Sequence, residues 1–218
     1  MYSYNQPPDE IRLPEELGLD IGPEATLVIA AWRFLILGFA DPDDFVEEVR
    51  EEFGLPDHVL RRAFETVAEV RRQQQRDFGE AATTSLTKAF AELNARGILA
   101  LEAHSCCAEC GVREISELLD DGVPRRGYVF YHQGDAEHLL DHGHVELTYG
   151  AVMERVLDPD EYARLLPEGK RWWFEQVSVE FFRDEVLPVL TEHGISVEWN
   201  REFDSRPTLT NVDFYAEV

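Results

Sequence analysis

The stretch "AHSCCAECGVREISELL" (Ala103 to Leu119) holds every cysteine of the chain, Cys106, Cys107 and Cys110, within five positions. The pair Cys107 and Cys110 has the two-residue spacing of one half of a zinc knuckle, and thiolate with imidazole is a zinc ligand set. The cluster supplies no second cysteine pair, so His132, with His104, Asp135 or Cys106, would have to complete such a site. The same residues support a different chemistry. A strand leading into Cys-x-x-Cys at a helix start lowers a thiol's pKa through free N–H groups and the helix dipole. Cys107 or Cys110 could then act as a nucleophile, with His132 as base and Asp135 orienting it. A third reading involves no chemistry: small thiols fill the space between a strand and a helix, and Asp135 caps the next helix.

The elements that must position these groups follow from periodicity. "ILALEAH" reads as a strand that ends at the cysteines, and 108–119 as a helix. "DDGVPRRG" is a turn, "YVFYH" (Tyr128 to His132) a second strand, and "GDAEHLLDHG" a short helix closed by Gly143. "VELTYG" gives a third strand. This alternation predicts parallel pairing through crossovers, with both early strands running to one edge. Ligands in open α/β sheets collect at strand carboxyl ends, which would bring Cys106, Cys107 and Cys110 near His132 and Asp135.

Upstream, the chain reads as helical: Ala25 to Phe39, Asp43 to Phe53 with Asp41 or Asp43 as cap, "LPDHVLRRAFETVAEVRRQQQRDF", and "TTSLTKAFAELNARG" with Thr83 or Thr84 as cap and Gly97 as terminator. Residues before about position 23 are Pro-rich and read as irregular. Downstream, a loop holding Pro159 and Pro167 precedes a long helix from Arg171 to His193, which Pro188 should kink or split. "ISVEWN" and "RPTLTNV" close the chain as a hairpin. The fold expected is α+β: a helical region over 1–96, then an α+β domain over 97–218 with a mixed sheet of about five strands and packed helices.

Other chemistry-bearing residues have structural readings beside the functional one. His138 and His142 stand one helical turn apart with His144 just beyond, a spacing that can bind metal, and histidine also suits a helix's negative end. Arginines 61, 62, 71, 72 and 76 alternate with Glu65 and Glu69, as on a solvated, ion-paired face. Trp172, Trp173, Phe174, Phe181 and Phe182 read as the packing face of the long helix.

The chain is strongly acidic, with 44 Asp and Glu against 20 Lys and Arg for a net charge of −24. Such a surface repels phosphate backbones and anionic lipids, so neither nucleic acid nor membrane is an expected partner. "ATLVIAAWRFLILGFA" carries Arg33 at its centre and falls short of the roughly 20 residues that a spanning helix needs, so it reads as a buried helix. The start lacks the basic and apolar regions of a secretory signal, which places the expected protein in the cytoplasm, where thiols stay reduced or bind metal. There is no P-loop, G-x-S-x-G or dinucleotide fingerprint.

From Phe90 onward, "AFAELNARGILALEAHSCCAECG", "GYVFYHQGDAEHLL", "ELTYGA" and "GISVEW" resemble a bacterial family of domains of unknown function. Leu93 through Ile98, the three cysteines, and Tyr131, His132, Gln133 and Asp135 carry the likeness; Gly134 and the pair Ala103 and His104 depart from it. The resemblance implies that the cysteine and His-Gln-x-Asp segments form one unit, and it implies no activity. The expectation is an acidic protein that binds a protein or small-molecule partner without catalysis, with a structural or zinc-holding Cys/His corner. The rival is an enzyme using a cysteine thiolate or an open metal site.

Overall fold

The computed structural model describes residues 3–8, 10–79, 82–119, 122–153 and 158–218. The first two positions of the expected turn at "DDGVPRRG" and part of the loop before Pro159 lie outside the described residues. The chain forms two compact units, Met1–Thr83 with Tyr215–Val218, and Thr84–Phe214.

The first unit is built on helices α1 (Ile21–Ile36), α2 (Pro42–Phe53) and α3 (Asp57–Phe78). Asp41 caps α2, its carboxylate accepting from the Asp43 N–H at 2.8 Å. Helix α1 is not buried all round as its apolar run implied. Leu27, Ala31, Trp32, Leu35 and Ile36 face the core, while Ile29 and Arg33 lie in solvent. A helix packs by one stripe of its surface, so an apolar residue off that stripe, such as Ile29, stays outside. Phe45 and Phe64 stack at 4.8 Å and Phe34 meets both edge-on.

The second unit begins with α4 (Ser85–Ala95), capped by the Thr84 hydroxyl on the Thr87 N–H, and ends that helix at Gly97, whose φ of 79° needs a residue without Cβ. Strand β1 (Ile98–Leu101) leads to α5 (Ala108–Leu119), then β2 (Gly127–Phe130) and α6 (Gln133–His142). Strands β1 and β2 pair in parallel, Ile98 opposite Gly127 and Leu101 opposite Phe130.

The third expected strand breaks in two. Strand β3 (His144–Glu146) and β4 (Thr148–Ala151) flank Leu147, which is fully buried and donates its N–H to the Pro207 carbonyl. Strand β4 returns to β2 antiparallel, so the parallel crossover expected between the second and third strands does not form. Strand β3 instead joins β5 (Ser196–Glu198) and β6 (Thr208–Thr210) in a second antiparallel sheet, ordered β3-β6-β5. The fold is α+β with two three-stranded sheets rather than one larger sheet.

The loop holding Pro159 contains α7 (Pro159–Arg164), which the periodicity did not indicate, with the Asp158 carboxylate capping the Asp160 N–H. Beyond it, α8 (Pro167–Phe181) passes through one π-helical turn at Phe182–Val186 into α9 (Leu187–Glu192). Pro188 lacks an N–H and its ring crowds the carbonyl four residues back, so the wider turn before it relieves the clash. Phe181 and Phe182 are buried as expected; Trp172 and Trp173 are exposed.

Candidate metal centre

Helix α5 places the cysteines. Its Gly111 rides directly on the sheet, where a Cβ would meet the Phe130 ring at 2.5 Å. One turn on, Ile115 packs among Leu99, Tyr128 and Phe130. The helix start is therefore fixed over the carboxyl ends of β1 and β2, with Cys107 immediately before its first turn and Cys110 on it. Between β1 and the helix the backbone is strained: Ala103 and Ser105 adopt φ of 47° and 64°, a left-handed conformation that costs residues with a Cβ on the order of 1–2 kcal/mol each. Non-glycine residues in that region concentrate at sites where geometry serves a ligand.

All three cysteines are free thiols, and their sulfurs lie within 4.8 Å of one another. A tetrahedral ion with metal–sulfur bonds of about 2.3 Å holds its sulfurs about 3.8 Å apart, so the cluster is already near ligand spacing. Cys106 is exposed and the other two are half-buried, leaving the sulfurs open to solvent on one side. The backbone N–H of Cys110 donates to the Cys107 sulfur and pulls that thiol's pKa below the ordinary thiol range; the Cys110 side chain and the Glu109 N–H add to the effect. Its hydrogen bond to Cys107, then the other neighbouring sulfur, pushes Cys110 up to about 11. The Arg113 guanidinium lies 3.8 Å from the Cys110 sulfur.

The parallel strands bring the His132 segment to the same rim. The His104 N–H donates to the Tyr131 carbonyl at 2.8 Å, and the Gln133 N–H to the Ser105 carbonyl at 3.0 Å. His132 does not join the sulfurs, however; among the described residues the 4.8 Å group consists of the cysteines. The ring is engaged at the start of α6, where it accepts the Asp135 N–H at 3.2 Å while the Asp135 carboxylate accepts the His132 N–H at 3.1 Å. The cap is thus His132, with Asp135 closing the box, rather than Asp135 alone. His104 sits edge-on to Phe130, its Nε2 3.5 Å from Glu114.

Asp135, buried, is gripped by Arg206, whose Nη2 donates to Oδ2 at 2.6 Å and Nη1 to Oδ1 at 3.2 Å. Arg206 also reaches the Glu146 carboxylate at 3.1 Å and its carbonyl at 2.8 Å. Nothing in the sequence pairs positions 71 residues apart, so this clamp was invisible before folding. Nor did the sequence single out Glu102, which accepts the Tyr131 hydroxyl at 2.9 Å and whose carboxyl burial holds above its usual range.

The fold and the site together define an α+β domain carrying a three-thiol cluster, able to hold a metal ion, over the ends of two parallel strands. The chain belongs to the family described as "Domain of unknown function (DUF6891)", whose pattern matches residues 23–215. No curated protein and no solved structure matches it. Among the described residues no helix is long and apolar enough to cross a membrane.

Proposed function

We propose that this chain is a non-enzymatic binding domain of the cytoplasm whose Cys106, Cys107 and Cys110 thiolates hold a zinc ion. The observation that carries the reading is the convergence of three free sulfurs within 4.8 Å where a strained loop enters α5. Soft thiolate sets favour zinc over the hard cations, which take oxygen ligands. The Cys110 N–H on the Cys107 sulfur supports the ionised form that a metal needs. Three thiolates leave one position of a four-coordinate ion for water or for a donor atom of a protein or small-molecule partner. The acidic surface argues against nucleic acid and anionic membrane as that partner.

A second reading has its own support. Cys107 stands immediately before α5 with its sulfur accepting the Cys110 N–H, the placement of an attacking thiol with a neighbouring one to resolve it. Against it, the histidine and aspartate that would serve as base and orienter are committed to the α6 cap and to Arg206.

Metal analysis of untagged protein purified under reducing conditions separates the two. The zinc reading expects a near-stoichiometric ion, with Co(II) substitution giving intense sulfur-to-cobalt charge-transfer absorption, both lost in Cys110→Ser. Metal-free protein whose Cys107 is alkylated rapidly below neutral pH would overturn it in favour of thiol chemistry.

A further inference from the structure

We propose that His138, His142 and His144 form a second metal site, made of imidazoles alone and suited to a borderline divalent ion such as Ni(II), Cu(II) or Zn(II). The site stands at the junction of α6 and β3 and rests on none of the cysteine chemistry. His138 and His142 lie one helical turn apart and so share a face of α6. Gly143, with φ of 76°, ends the helix in the left-handed conformation and turns the chain back, so that the next residue, His144, opens β3 beside that face.

The rings converge. The Nε2 atoms of His138 and His144 face one another at 2.7 Å, and the His142 ring centre lies 4.4 Å from that of His138 and 6.2 Å from that of His144. A helix-dipole role accounts for His142, which is in the last turn. It does not account for His138 a turn earlier, nor for His144 beyond the helix. Two imidazole nitrogens aimed at one point can share one proton, or both lone pairs can bind one cation. Zinc–nitrogen bonds of about 2.0–2.1 Å set two ligand nitrogens roughly 3.3 Å apart, so the facing pair needs to open by only about 0.6 Å. The His142 nitrogens do not share that spacing, so the third position would have to be filled by rotation of this exposed side chain.

The surroundings favour a cation. The negative end of the α6 dipole points at the cluster. Glu137 and Asp141 add exposed carboxylates on the same helix. The cysteine loop adjoins the rim at the opposite, N-terminal end of α6, a helix of 10 residues spanning about 15 Å. Donor type keeps the two apart as well: thiolates select softer ions, imidazoles the borderline ones.

Ni(II) titrated calorimetrically into the untagged chain tests the site. The wild-type chain is expected to bind near-stoichiometric Ni(II), with His138→Gln or His144→Gln weakening it about tenfold or more, roughly the loss of one ligand. His58→Gln, an exposed histidine on α3, leaves it unchanged. In a Cys106→Ser, Cys107→Ser, Cys110→Ser variant, which cannot reduce the ion, bound Cu(II) is expected to show electron-spin resonance coupling to several imidazole nitrogens, simplified by His144→Gln. Ni(II) affinity unaltered in both His138→Gln and His144→Gln, with folding verified by circular dichroism, would overturn the assignment. So would Cu(II) coupling indifferent to His144→Gln.

Discussion

Two centres of polar chemistry, one in each unit, have opposite designs. In the helical unit, Arg71 has no exposed surface. Its guanidinium lies 5.5 Å from the Trp32 ring and 5.1 Å from the Tyr215 ring. It donates to the Tyr4 and Ala216 carbonyls, to Asn5 Oδ1 and to Gln74 Oε1. Carbonyls and side-chain amides engage its two Nη groups in place of a carboxylate, and two ring faces flank it. Its buried Nε has no hydrogen-bond partner among the described residues, and burial lowers its pKa. In the other unit, the cysteines sit where a strained loop enters α5, one exposed and two half-buried, with their sulfurs within 4.8 Å of one another. A buried charged group bonded to several segments ties a fold together. Donors that converge and stay open to solvent leave valence for something else.

That contrast can be broken, starting with its largest consequence. Arg71→Met leaves Asn5 and two carbonyls without their donor and should cost about 3–5 kcal/mol in denaturant unfolding, with metal content unchanged. A loss under about 1 kcal/mol would mean that the centre is not structural. Next, Arg206→Ala removes the clamp on a buried carboxylate and should cost about 1–3 kcal/mol, again without loss of metal. Zinc lost in that variant would instead tie the His132–Asp135 corner to the sulfurs. Ala103→Gly removes the Cβ from a left-handed position and should stabilise the metal-free chain by up to about 1 kcal/mol in thermal melts.

The smallest effect concerns pH. Burial raises the Glu102 carboxyl, so the folded chain holds that proton more tightly than the unfolded chain does. Its contribution to stability is complete below the unfolded-state pKa and is lost as pH rises through the folded value. Glu102→Gln, neutral throughout, should flatten that decline; unchanged pH dependence in melts would place the effect elsewhere.

Much of the scaffold was legible because it is local. The helix at 108–119, the caps Asp41 and Thr84, and the terminator Gly97 each depend on neighbours within a turn. The arginine face was legible in part. Arg62 and Glu65, Arg72 and Glu69, and Arg76 and Glu69 pair in solvent as their spacing indicates, and Arg61 reaches Asp43. Arg71, alike in type and spacing, goes to the core, because the side of a helix that is buried depends on what packs against it. The split at Leu147 was hidden for the same reason: continuous alternation through Val145, Leu147 and Tyr149 does not say that a strand changes sheets.

By itself the sequence determined which groups could do chemistry: three thiols before a helix, and histidines one turn apart, since spacing along the chain limits what a short segment can bring together. Tertiary structure decided which of them meet. Parallel pairing of β1 and β2 set the cysteine loop beside His132, yet His132 and Asp135 cap α6 through each other, and Arg206, distant in sequence, clamps that carboxylate. Orientation at a shared rim follows from the strongest available partner, and the packing of remote segments supplies that partner.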